Sequence, residues 1–227
     1  MIDFHTHILP GMDDGSKSVE ESIALLQEEA RQGADMVFLT SHFYAAENSP
    51  SEFLRRRQAA WRELSLAWDS SLPPVRLGAE VQYFEGIASA SDMEHLKIMG
   101  TNLLLLEMPF CRWTDRMVDD AAELGDRLEA RIVLAHIERY LPMQAASVWK
   151  QLRSQGVLMQ CNASFFGNWK TRRKAMSMLS GGEIQFVGTD CHNLHTRRPN
   201  WDLLPPKGKT WLSRNEASMG LQNFHTA

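Results

Sequence analysis

At 227 residues with 44% apolar side chains, the chain is long enough for one domain with a full core and needs no second. Its 24 Lys and Arg against 28 Asp and Glu leave a net charge of −4, which gives no electrostatic footprint for nucleic acid. No apolar run approaches the roughly 20 residues of a membrane-spanning helix, and the N-terminus enters a strand without a signal-peptide pattern, so a cytoplasmic protein that is not membrane-embedded is expected.

The first predicted strand, over 2–5, runs into His5-Thr6-His7. Side chains two apart on an extended strand share a side, so both imidazoles can converge on one metal ion. Asp13-Asp14-Gly15 follows, then a helix over 19–32 stopped by Gly33. A second strand over 36–40 leads to His42, and a helix over 51–68 carries Arg55-Arg56-Arg57, read as a solvated face. The third strand, 75–80, ends in Glu80 and the fourth, 103–107, in Glu107. Beyond a helix over 115–129, the fifth strand, 131–136, ends in His136. A helix over 143–155 precedes the sixth strand, 157–162; a helix over 170–179 opens on the basic run from Lys170 to Lys174, also read as solvated. The seventh strand, 185–190, closes on Asp190-Cys191-His192. From Pro199 the periodicity is weak, and 199–227 is expected to be a peripheral tail that Trp201 and Trp211 can pin to the barrel.

Seven strands alternating with helices imply a parallel sheet, and runs such as Leu103-Leu104-Leu105-Leu106 imply burial on both its faces. A closed or distorted α/β barrel fits best. Such barrels build their active sites at the C-terminal ends of the strands, where this chain carries His, Asp and Glu. Mixed imidazole and carboxylate donors suit manganese, iron or zinc. The three cysteines, Cys111, Cys161 and Cys191, are expected as free thiols.

The phrases His5-Thr6-His7-Ile8-Leu9-Pro10-Gly11-Met12-Asp13-Asp14-Gly15, Gly78-Ala79-Glu80, His136-Ile137-Glu138-Arg139-Tyr140, and Asp190-Cys191-His192 with Arg197-Arg198-Pro199 span residues 1 to about 200. Together they resemble the polymerase and histidinol phosphatase (PHP) superfamily, and within it the CpsB-like branch of bacterial tyrosine phosphatases from capsule and exopolysaccharide loci. The resemblance implies a distorted (β/α)7 TIM-like barrel, filling about 1–198, that holds three divalent metal ions, manganese first and iron or zinc as alternatives. Carried over by position, His5, His7, Glu80 and Asp190 hold the first ion; Glu80, Glu107 and His136 the second; Asp14, His42 and His192 the third. Arg139 and Arg197 match the phosphate-binding arginines, whose planar fork suits two phosphoryl oxygens. The implied reaction is hydrolysis of phosphotyrosine by a hydroxide bridging two metals, on a tyrosine autokinase that regulates polysaccharide synthesis.

Other readings make distinct demands. Cys191 to Arg197 satisfies C-x5-R, the thiolate-phosphatase pattern, but no glycine lies between the two and Asp190 would raise the thiol pKa. A PHP barrel can also hydrolyse a small phosphomonoester such as histidinol phosphate, and a non-catalytic barrel that only binds the kinase would need a broken site. Asp13 neighbours Asp14, and spacing alone does not separate them. Tyr44, Phe43, Trp113, Asn162, Phe165 and Phe166 are expected near the cleft mouth, while His95, His195 and His225 are read as surface residues.

Overall fold

The computed structural model of the protein describes residues 1–221. Nine parallel strands form the sheet: β1 (Ile2–Thr6), β2 (Met36–Leu39), β3 (His42–Phe43), β4 (Val75–Leu77), β5 (Glu80–Gln82), β6 (Leu103–Glu107), β7 (Arg131–Leu134), β8 (Leu158–Asn162) and β9 (Phe186–Gly188). They hydrogen-bond in the orders β1-β2-β4 and β3-β5-β6-β7-β8-β9. The expected strand over 75–80 is broken at Gly78-Ala79, so that β4 pairs with β2 while β5 pairs with β3. Likewise the path of β2 resumes as β3 after Thr40-Ser41. Nine strands therefore occupy seven positions. The sheet curls until its ends meet: the Asp190 amide donates to the His5 carbonyl at 2.8 Å, and the His7 amide to the Cys191 carbonyl at 2.9 Å. The fold is the distorted seven-stranded α/β barrel that the sequence predicts.

The period-2 alternation of the strands divides the core into two layers. Phe4, Phe38, Leu103, Leu105 and Val133 fill the barrel interior, with Phe4 stacked on Phe186 at 4.1 Å. Leu104, Leu106 and Leu134 face outward beneath the helices. Those helices start where the chain supplies caps: Ser18 before α1 (Val19–Gln32), Ser49 and Pro50 at α2 (Pro50–Leu66), Thr114 before α3 (Asp115–Arg127) and Asn168 before α5 (Trp169–Ser180). Between α3 and α5 lies α4 (Ala146–Ser154). Gly33 ends α1 at φ 93°, in the left-handed region that side chains avoid.

Two sequence expectations change here. The arginine run in α2 is not uniformly solvated: Arg57 is buried and donates to the Gly78 carbonyl at 2.9 Å, bracing the strand break, while Arg56 donates to the Met12 carbonyl at 2.7 Å. The segment after Pro199 carries a sixth helix, α6 (Pro206–Ser218), whose Glu216 accepts the Ile2 amide at 2.8 Å. Trp201 is fully buried, whereas Trp211 only packs partly against the core. His225 lies outside the described residues. Among these, no helix is long and apolar enough to cross a membrane.

Candidate metal centre

The expected ligands lie at the C-terminal end of a strand or on the loop that follows, except His42 and Glu80, which open the short strands β3 and β5 just past the breaks after β2 and β4; the curled sheet brings all of them together. At the centre is Glu80, at the start of β5 and only 1% exposed. Four imidazoles surround it: His5 Nε2 and His136 Nε2 at 3.0 Å, His42 Nδ1 at 3.1 Å and His7 Nε2 at 3.2 Å. Glu107 lies 3.3 Å from His136 Nε2, and Asp190 lies 3.5 and 3.7 Å from the Nε2 atoms of His7 and His5. On the far side, Asp14 faces His192 Nε2 at 3.2 Å and His42 Nε2 at 3.7 Å. The donor atoms fall into three overlapping groups: His5, His7 and Asp190; His42, Glu80 and Glu107; and His7, Asp14, His42 and His192. His7 and His42 thus each sit between groups that the family pattern keeps separate.

Local backbone serves this convergence. His136 and Asp190 adopt positive φ values of 32° and 55°, a strained region for side-chain-bearing residues that persists where the surroundings impose it. Gly15 is required by close approach: a Cβ there would lie 2.1 Å from the His7 carbonyl oxygen. Asp13 and Asp14 separate cleanly. Asp13 accepts from His7 Nδ1 at 2.8 Å, from the His42 amide at 2.8 Å and from the Gly15 amide at 2.9 Å, so it orients two of the expected ligands while Asp14 faces the cluster.

The donor set fits metal ions. Of the atoms that face the cluster, His42 Nδ1, His192 Nε2 and Glu80 Oε2 are buried without an aligned hydrogen-bond partner, a costly arrangement unless another group satisfies them. The Nε2 atoms of His5 and His7 lie 3.1 Å apart, converging as two donors to one ion would. His192 Nδ1 donates to the Asp190 carbonyl at 2.9 Å, which leaves Nε2 as its lone-pair nitrogen toward Asp14.

The field of the cluster attracts cations. Burial alone would lower the His7 pKa, but hydrogen bonds and charge from Asp13 and Glu80 raise it to about 10. His136 rises to about 9 because Glu107 and Glu80 outweigh its burial. Glu80 is held well below the usual carboxylate range despite complete burial, by His5, His136 and His7. Burial and the neighbouring positive His7 push His192 down to about 4. Carboxylates that stay ionised while imidazoles compete for positive charge form a site that divalent cations suit.

The two arginines reach the same carboxylate from opposite sides. Arg139 Nη2 donates to Asp190 Oδ2 at 2.6 Å and Arg197 Nη2 to Asp190 Oδ1 at 2.8 Å. Asn162 donates to Asp190 Oδ2 at 3.0 Å, and Tyr44 stacks on His42 at 5.0 Å. The other residues expected at the mouth lie elsewhere. Phe43 packs on Phe53, Trp113 lies between Tyr140 and Trp149, and Phe165 and Phe166 are buried, because apolar rings near strand ends gain more from the layer beneath the helices than from the cleft. His95 and His195 are exposed.

Cys191 cannot serve as a thiolate nucleophile. It is fully buried, it faces Glu29 rather than the cleft, and burial together with the charges of Glu29 and Asp3 pushes its thiol pKa well up. Arg197 instead contacts Asp190 and Asp14. All three cysteines are free.

A parallel α/β barrel with a clustered set of metal-type ligands at the C-terminal ends of its strands defines the class. The family described as capsular polysaccharide synthesis, CpsB/CapC, matches residues 1–204, and the chain belongs to that family. It is 30% identical over 210 residues to the tyrosine-protein phosphatase CpsB of Streptococcus pneumoniae, across 88% of this chain and 86% of the relative. It is also 30% identical over 208 residues to the tyrosine-protein phosphatase YwqE of Bacillus subtilis (strain 168), across 87% and 79%. Among solved structures, that of YwqE from Bacillus subtilis and CpsB from Streptococcus pneumoniae, described as metal-dependent tyrosine phosphatases, has the same fold. The match has a TM-score of 0.79 at 23% identity, over 98% of this chain and 95% of the other.

Proposed function

We propose that the chain is a metal-dependent protein-tyrosine phosphatase, working as one domain in the cytoplasm on a tyrosine autokinase of polysaccharide export. The observation that carries this reading is the buried Glu80 with four imidazole nitrogens within 3.2 Å, two arginines beside it at Asp190, and no usable thiolate. His5, His7, Glu80 and Asp190 would hold one ion, Glu80, Glu107 and His136 a second, and Asp14, His42 and His192 a third. The donors accommodate manganese, iron or zinc, and availability decides among them. When bound, such ions lower the pKa of a water to near neutrality and polarise the phosphoryl group.

The protein's own groups supply the rest. Arg139 and Arg197 present guanidinium forks at the edge of the cluster, placed to exchange Asp190 for phosphoryl oxygens and to neutralise the charge that develops on them. Asp13 keeps the Nδ1 proton of His7, which commits Nε2 to the cluster. A cleft of about 380 Å³ adjoins Asp14 and His42, walled by Tyr44 and Arg56, and takes the aryl group. The phosphatase names of its relatives support the phosphotyrosine substrate, and the capsule-synthesis description of the family supports a role in polysaccharide synthesis.

The test is hydrolysis of a phosphotyrosine peptide after chelation and resupply of manganese, with Cys191→Ser and His136→Ala variants. Activity should vanish with chelator, return with metal, survive in Cys191→Ser and fall at least 100-fold in His136→Ala, about the effect expected when a ligand or its support is lost. Activity that ignores chelator and dies in Cys191→Ser overturns the mechanism. Hydrolysis of histidinol phosphate but not the peptide moves the substrate to a small phosphomonoester.

A further inference from the structure

A second cleft lies away from the ligand cluster. It is a trough of about 650 Å³ between α4 and α5, with Leu141, Trp149 and Met178 in its apolar floor. Its α5 wall is one helix stripe, Lys170, Arg173, Lys174, Ser177 and Met178, spaced i, i+3, i+4, i+7, i+8. The basic run that the sequence presents as a solvated face thus turns three cations toward one concavity. Arg153, from α4, pairs with Glu183 at 3.5 Å. Lys170, Arg173 and Lys174 have no acidic partner among the described residues, and Lys170 sits 5.7 Å from the ring of the exposed Trp169. In a chain of net charge −4, three unpaired cations in one trough mark a place for an anion.

The trough begins beside the chemistry. Leu141 lines it two residues after Arg139, a separation of at most ~7.6 Å between Cα atoms. From Lys170 to Met178 the helix rises ~12 Å, which four extended residues at ~3.3 Å each would span. We propose that this trough is an exosite for an acidic stretch of the substrate polypeptide, lying about three to six residues from the phosphotyrosine. The proposal rests on the phosphatase reading above and narrows its substrate to an extended, acidic-flanked chain. A concave trough with an apolar floor and one basic wall suits an extended strand, whereas a flat anionic surface would meet only its rim. The contacts act on binding, so the effect falls on KM and on salt dependence rather than on turnover.

The experiment compares three phosphotyrosine peptides: one with four glutamates starting three residues N-terminal to the phosphotyrosine, one with them C-terminal, and one neutral. p-Nitrophenyl phosphate serves as the small control. Against the metal-loaded protein, one acidic peptide should have a KM roughly 5- to 10-fold below the neutral one, the size expected of two or three exposed charge contacts. That advantage should fade as salt rises. In R173S/K174S it should disappear, with kcat and p-nitrophenyl phosphate hydrolysis unchanged. Equal KM values for all three peptides, or an advantage that survives the double substitution, overturn the exosite while leaving the phosphatase reading intact. Loss of all phosphotyrosine hydrolysis in the parent protein overturns both. Binding to vesicles of anionic phospholipid that needs Arg173 and Lys174, without any peptide preference, assigns the trough to a membrane surface and also overturns the proposal.

Discussion

At the scale of single residues, the centre is organised by carboxylates in two different roles. Glu80, Glu107, Asp14 and Asp190 face the imidazole cluster, whereas Asp13 stands behind it and holds His7 and the His42 backbone in place. An Asp13→Asn substitution keeps the shape and removes the charge that fixes the His7 tautomer. Metal affinity should fall roughly 10- to 100-fold, with kcat returning close to the parent value at saturating metal. Titration of the apoprotein with manganese, followed by activity, checks this; an unchanged affinity would return Asp13 to a mere loop residue. The positions at strand ends were legible because a period-2 strand and a barrel rim dictate where such side chains go. The division between Asp13 and Asp14 was not, since adjacent residues on a loop have no period to separate them. Asn162 and Tyr44, expected at the cleft mouth, do reach the cluster, from the end of β8 and from the loop after β3.

At the scale of elements, the seam of the barrel is held by a buried polar knot. Asp3 on β1 accepts from the His5 and Thr189 amides, and Glu29 on α1 accepts from Trp201 Nε1 at 2.8 Å and Thr189 Oγ1 at 3.2 Å. Four parts of the chain meet there. Burial raises both carboxyl pKa values, and the charge of Asp3 adds to the rise at Glu29. A carboxyl raised above its ordinary value of 4.5 stabilises the fold while protonated. Its contribution is complete below the unfolded pKa and is lost as pH climbs from there through the folded one. Glu29→Gln, which supplies a permanent donor toward Asp3, should therefore flatten the fall in Tm between pH 5 and pH 8, each kcal/mol of lost linkage appearing as about 2–4 °C. Parallel pH–Tm curves for parent and variant would place the shared proton elsewhere. Trp201 drew notice in the sequence only as a peripheral anchor, because nothing in its neighbours reveals a buried carboxyl partner on α1, 172 residues away. The short strands β3 and β5 were hidden for a related reason. Two or three residues carry no periodicity, and the break at Gly78-Ala79 is imposed by the neighbouring strands.

At the scale of the whole molecule, the barrel gathers five imidazoles and four carboxylates at one end, six of the nine buried and Asp14 exposed. Without a cation such a cluster relies on imidazoles charging to satisfy its carboxylates, and several of its donors remain without an aligned partner. The strand ends that carry the cluster are also the ends that close the sheet, since His5 and His7 bond through their backbones to Asp190 and Cys191. Metal binding and barrel closure are then one equilibrium, and ligand binding to the folded state alone adds stability as RT ln(1 + [L]/Kd). At a hundredfold excess of manganese over Kd, one site contributes about 2.7 kcal/mol, which for a chain of this length raises Tm by roughly 5–10 °C. His136→Ala, which removes a donor but leaves the seam between β9 and β1 intact, should keep the Tm of the chelated protein within a few degrees of the parent and lose part of the manganese increment. A Tm that does not move with metal would mean that the cluster is held open or shut by the protein alone, and that closure of the barrel owes nothing to the ions it is built to receive.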